Sequence, residues 1–138
     1  MLDYAAAAEE RELQMTEAND SISNDTHTTV EATGPSFLNG VDISHFQGSV
    51  DFEKLKAAGI AFVFIKATEG GTLVDEKFAV YWKAAKAAGI PRGAYHFFRP
   101  KGSVQAQIAN FVNTVGSLKV GDLPPVVDLE VPEDWANI

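Results

Sequence analysis

Three observations predict that most of this 138-residue chain folds as an α/β domain with a parallel sheet. Short β-branched and aromatic runs alternate with stretches whose apolar residues recur at helical spacing. Each helical stretch is closed by glycine, as at Gly59, Gly89 and Gly116. The connections are long enough to carry a helix from one strand to the next, which implies parallel pairing through right-handed crossovers. Periodicity alone leaves open whether the sheet closes on itself.

The first strand is expected in "NGVDIS" and the second in "AFVFIKAT". Between them "VDFEKLKAAG" places Phe52 and Leu55 at helical spacing, with Gly59 as the stop. The next helix, in "DEKFAVYWKAAKAAG", is expected to be capped by Asp75 and to stack Phe78, Trp82 and Ala85 on one face before Gly89 and Pro91 end it. "RGAYHFF" reads as the third strand. A third helix after Ser103 collects Val104, Ile108, Phe111, Val112 and Val115 on one side, and "PPVVDLE" reads as the fourth strand.

Residues 1–36 follow a different pattern. "LDYAAAAEERELQMTEA" has high helix propensity without a full apolar stripe, so it reads as a frayed, solvated helix. It opens on an acid and lacks a continuous apolar centre, unlike a secretory signal. From Asn19 to Pro35 the composition is that of a flexible linker. The triplets Asn19-Asp-Ser21 and Asn24-Asp-Thr26 match the glycosylation acceptor pattern, which is common by chance in such segments.

Charge divides the same way. Eight acidic residues stand against Arg11 alone in residues 1–36, so this segment carries −7 of the net −8. The near-neutral body has no basic footprint of the kind nucleic-acid binding needs, and its lysines are spread over helical segments. No run approaches the roughly 18 apolar residues of a membrane span. With no cysteine, disulfide and thiolate chemistry are excluded and the compartment stays open.

Polar side chains recur at the carboxyl end of every expected strand: Asp42 and Ser44, then Lys66, Thr68 and Glu69, then Tyr95 and His96, then Asp128 and Glu130. Parallel sheets are covered on both faces, so such groups are costly unless they are satisfied or used, and α/β folds place their sites along this edge. Residues two apart on a strand share a face with Cα atoms about 6.6 Å apart. Asp128 and Glu130 are therefore expected to look inward together, with Val127 and Leu129 toward the helices. Proximity and burial disfavour joint ionisation, so one of the pair is expected to hold a proton near neutral pH. A proton donor beside an anion is what acid-assisted cleavage of a glycosidic bond requires.

Simpler roles compete. A single carboxylate such as Glu69 or Asp42 at a strand end is commonly a cap or an ion-pair partner. His96, between Tyr95 and Phe97, suits a hydrogen-bonded core histidine as well as a substrate contact. Lys66 is expected to act as an internal counter-ion for the acidic cluster, and Phe62 and Phe64 as core. Convergence of Asp42, His45, His96, Asp128 and Glu130 on a divalent cation is the chief chemical rival, but no His-x-His or His-x-x-x-His pair supports a metal.

Four stretches in order, "GVDISHFQG", "FVFIKATEG", "GAYHFF" and "PPVVDLE", together resemble the glycoside hydrolase family 25 lysozymes, the Chalaropsis-type muramidases. The resemblance covers roughly residues 38–135 and leaves out the leader. It implies a modified β/α barrel of the TIM-like type that hydrolyses the β-1,4 bond between N-acetylmuramic acid and N-acetylglucosamine in bacterial peptidoglycan, with no cofactor. Carried onto this chain, it implies Glu130 as general acid, Asp128 as the carboxylate that orients the substrate acetamido group or stabilises the transition state, and Asp42 as the acid closing the first strand. Tyr95, His96, Gln47, Lys66 and Glu69 fall in motifs that line the groove and are implied as substrate contacts.

Phe52 stands where the family often has Trp, a mild core change. The family also continues through further strands, one with another active-site acid, so about four of the eight barrel strands are expected here. The expected organisation is thus an acidic leader, residues 1–36, before the N-terminal part of a muramidase-like catalytic domain, residues 37–138, whose activity depends on completion by another chain or a homodimer. The alternative is a non-catalytic glycan-binding module. Localisation follows only from the substrate, as a secreted or phage-borne lytic protein.

Overall fold

The computed structural model describes residues 37–130. The expected solvated helix, the linker and its Asn-Asp-Ser/Thr triplets lie outside the described residues. Within them, four parallel strands form the body of one sheet: β1 (Gly40–Ile43), β2 (Phe62–Glu69), β4 (Arg92–Phe97) and β5 (Val126–Asp128), side by side in that order. The helices α1 (Phe52–Ala57), α2 (Phe78–Ala87) and α3 (Val104–Val115) occupy the connections. Among the described residues β1 and β5 each pair on one side only, so the strands form an open sheet.

A short strand that the sequence reading did not anticipate, β3 (Leu73–Val74), folds back antiparallel on the end of β2. Gly70 makes the reversal, with φ +55° in the region that favours glycine. Two paired residues are too few to leave a periodic signal. The side-chain amide of Asn110, on α3, donates to the carbonyls of Gly70 and Leu73 and clamps this hairpin.

One sheet face carries the apolar core. Ile43, Val63, Ile65, Ala67 and Ala94 pack against Phe52 of α1 and Phe78, Tyr81 and Ala85 of α2. Each large side chain buried this way contributes about 1.5–3 kcal/mol. The buried α2 residues are Phe78, Tyr81 and Ala85, while Trp82, expected on that face, is only partly buried and stacks under the Arg92 guanidinium. Asp75 also differs from expectation. The helix begins at Phe78 without a side-chain cap, because one Asp75 oxygen accepts from Lys77 N at 2.9 Å and the other is engaged by His45.

The opposite face holds Phe62 and Phe64, whose rings meet edge to face. Each lies over a glycine paired directly across the sheet, Gly40 for Phe62 and Gly93 for Phe64. A Cβ on either glycine would come within 2.2 Å of the ring, which is why these two strand positions carry glycine.

The third helix has the expected span and ends at Gly116, φ +67°. Its apolar stripe is split. Phe111 and Val115 pack against the core and Gln107 is buried, whereas Val104, Ile108 and Val112 are exposed and, with Val126 and Val127 of β5, line an apolar groove of about 440 Å³.

Candidate active site

Asp42, Tyr95, Asp128 and Glu130 line one cleft at the carboxyl edge of the sheet, together with Phe64, Val126, Val127 and Leu129. Its volume is about 360 Å³. Asp42 sits beside Phe64 in the β1–β2 register, and Tyr95 beside Val126 in the β4–β5 register. Asp128 is fixed by pairing with Phe97 and by its carbonyl, which accepts from Phe98 N at 3.0 Å. Glu130 follows two residues later.

The carboxylates are less enclosed than a covered parallel sheet implies. Asp42 and Glu130 are exposed and Asp128 is half-buried, because β5 is an edge strand with Val127 and Leu129 in solvent rather than under helices. Burial still raises the Asp128 carboxyl above its ordinary range, and the charges of Glu130 and Asp42 push the same way against Lys66. A side-chain interaction with Glu130 adds to the same upward push, so Asp128 holds its proton more readily than an isolated aspartate. The Tyr95 phenol is also raised, first by burial and then by Asp42, Asp128, Asp75 and Glu130. It is a neutral hydrogen-bond donor across the physiological range.

Lys66 and Glu69 point to this same face because β2 has a bulge. Lys66 pairs with Tyr95 and Glu69 with Phe97, with a register shift between Lys66 and Thr68 that inserts an extra residue. Neither lines the cleft. The Lys66 ammonium is 2.5 Å from Glu69 Oε2 and lies over the Phe97 ring, and Arg99 makes an ion pair to Glu69 Oε1 from the other side. Burial raises Glu69, and the bonds from Lys66 and Arg99 outweigh it, leaving the carboxyl below its ordinary value.

Two residues implied as substrate contacts are occupied elsewhere. His96 is 5% exposed on the helix face. Its Nδ1 accepts from the Thr68 hydroxyl at 2.7 Å and its Nε2–H donates to Gln107 Oε1 at 3.0 Å. Gln107, 2% exposed, completes the network by accepting from Arg99 N and donating to Arg99 O. Every polar atom of the imidazole is thus used, and the tautomer follows from the network. Gln47 folds back on its own turn: Ser44 caps the 3-10 turn His45–Gln47, and Gln47 Oε1 accepts from Ser44 N at 2.7 Å.

The five groups weighed as a metal set do not converge. His45 is bound to Asp75 and His96 to Thr68 and Gln107, and among the described residues no cluster of three His, Cys, Asp or Glu is placed to hold an ion. The Asp75–His45 contact and the role of Gln107 carried no local signal, since the partners stand 30 and 11 residues from the residues they bind.

The fold is a mixed α/β domain with a parallel sheet, and its open cleft is lined by carboxylates at the carboxyl edge of the strands. The family model "Glycosyl hydrolases family 25" matches residues 41–137, and the chain belongs to that family. It is 40% identical to Lysozyme M1 of Streptomyces globisporus over 105 residues, 74% of this chain and 36% of that protein. Identity to the N,O-diacetylmuramidase of Chalaropsis sp. is 37% over 67% of this chain and 47% of that protein. Among solved structures, a family 25 glycosyl hydrolase from Bacillus anthracis superposes with TM-score 0.67 at 32% identity, over 83% of this chain and 52% of that one. The bacterial lysozyme of Streptomyces coelicolor gives TM-score 0.62 at 42% identity, over 68% and 45%. The chain spans about half, or less, of the length of these relatives.

Proposed function

We propose that residues 37–138 form the N-terminal part of a muramidase domain, behind a leader of residues 1–36, and that its cleft acts on the β-1,4 bond between N-acetylmuramic acid and N-acetylglucosamine in bacterial peptidoglycan. The observation that carries this reading is the shared cleft of Asp42, Tyr95, Asp128 and Glu130, in which burial and acidic neighbours raise the Asp128 carboxyl. Glu130, the more exposed carboxyl, delivers a proton to the departing glycosidic oxygen. Asp128 replenishes it and, once anionic, steadies the acetamido group or the developing positive charge. Tyr95 donates to the substrate, Asp42 supplies negative potential from the facing strand, and Lys66 with Glu69 and Arg99 sets the field behind the pair. Acid catalysis by this route needs no cofactor.

The edge of β5, unpaired on one side among the described residues, and the apolar groove beside α3 support a sheet that continues into further strands. The substrate places the protein at the cell wall, secreted or released during phage lysis. Clearing of bacterial walls in a turbidity assay, with release of muramic-acid reducing ends, tests the reading. The Glu130→Gln variant should abolish clearing and keep wall affinity. Unchanged clearing in that variant would rule out Glu130 as the proton donor, while wall affinity without any clearing in the unaltered chain would favour the glycan-binding module.

A further inference from the structure

We propose that His45 and Phe46 form a second saccharide contact at the rim of the cleft, with the Phe46 ring stacked on one sugar and His45 Nε2 hydrogen-bonded to the same unit. The proposal rests on the glycan-cleft reading above and extends it along the glycan, to a hexosamine beyond those held by the carboxylates. Phe46 is 79% exposed, although covering such a ring is favourable by a few kcal/mol. The His45 ring lies against it, with centroids 4.1 Å apart and planes tilted by 36°. The capped 3-10 turn holds both residues rigidly.

Asp75 orients the imidazole. Its side chain is fully buried, and one oxygen accepts from both His45 N at 3.1 Å and Nδ1 at 2.7 Å, while the ring remains 34% exposed. The backbone bond by itself would tether this loop to the turn before α2. The ring bond does something more: it fixes Nδ1 as a donor and turns Nε2 outward. His45 follows Asp42, which lines the cleft, by three residues, within about 11 Å of chain.

Binding of a GlcNAc–MurNAc tetrasaccharide and disaccharide to the full chain, measured by calorimetry in a Glu130→Gln background to prevent turnover, tests this. Phe46→Ala should weaken the tetrasaccharide about tenfold and the disaccharide less than about twofold, with Phe46→Trp restoring affinity. His45→Asn keeps a donor near Asp75 but loses the Nε2 position, and should weaken the tetrasaccharide about fivefold. His45→Gln, which reaches the Nε2 position, should bind better than His45→Asn. A purely structural histidine gives the reverse order, and that order, or unchanged tetrasaccharide affinity in Phe46→Ala while the parent binds, overturns the second contact alone. No binding of either sugar by the parent overturns the cleft reading with it.

Discussion

Tyr95 and His96 are neighbours in β4, and they illustrate two fates of a polar group on a parallel strand. On the cleft face Tyr95 joins Asp42, Asp128 and Glu130, where burial and the neighbouring acids raise the Asp128 carboxyl. On the helix face His96 joins Thr68 and Gln107, where each donor meets an acceptor within the chain. The first set is incomplete without a ligand and the second is complete without one. A polar residue at a strand end therefore signals a site only when the fold withholds its partner.

The largest effect that could break this contrast is on turnover. Glu130→Gln removes the proton donor while preserving shape, and should lower wall hydrolysis by at least about 100-fold with no loss of thermal stability. An equal loss on replacing His96 would mean that the helix face also serves catalysis.

Gln107→Ala probes the satisfied face. It removes the acceptor that His96 Nε2–H and Arg99 N–H share, in a site that is 2% exposed, while Arg99 C=O keeps its bond from Gly102 N. The cost should be about 3 kcal/mol in urea unfolding, with an unchanged slope. A cost under about 1 kcal/mol would show that water replaces the amide and that the network is not closed.

The strand–helix alternation and the carboxyl-edge placement of Asp42, Tyr95, Asp128 and Glu130 were legible because period 2 and period 3.6 are local properties. The bulge at Ala67 was not. By simple alternation Lys66 and Thr68 would share a face and Glu69 would oppose them, whereas the register shift sends Lys66 and Glu69 to the cleft face and Thr68 to His96. The rotation of α3 was hidden for a related reason. A helical stripe marks an apolar face but not the neighbour that covers it, so Gln107 rather than Ile108 came to be buried. His45 and Asp75 meet only through tertiary structure.

Thr68→Val is a smaller test of the helix face. Shape is nearly kept and one hydroxyl is lost, leaving His96 Nδ1 without its donor inside a fully buried site. A destabilisation of about 1–2 kcal/mol is expected, additive with changes at distant sites but not with Gln107→Ala, to which it is coupled through the same ring. Strict additivity of the two would mean that the imidazole re-forms its bonds independently on each side.

The smallest expected effect has the opposite sign and belongs to the cleft face. Because Asp128 is raised in the folded protein, the native state binds the proton more tightly than the unfolded chain does. Stability from this group is therefore complete below the unfolded value of 3.8 and falls as pH rises through the folded value. Asp128→Asn removes that penalty, so it should stabilise the fold at pH 7 by under about 1 kcal/mol for so open a site, read as a small rise in melting temperature. The gain should vanish near pH 3, where the native residue is protonated in both states. Asp75 reverses this dependence: burial raises it, but the bonds from His45 and Lys77 N prevail and leave it lowered, so its contribution is present at neutral pH and lost on acidification through its folded value. A melting temperature that fell at pH 7 in Asp128→Asn would place Asp128 with Asp75, among the groups that hold the fold together, and would remove the electrostatic distinction between the two faces.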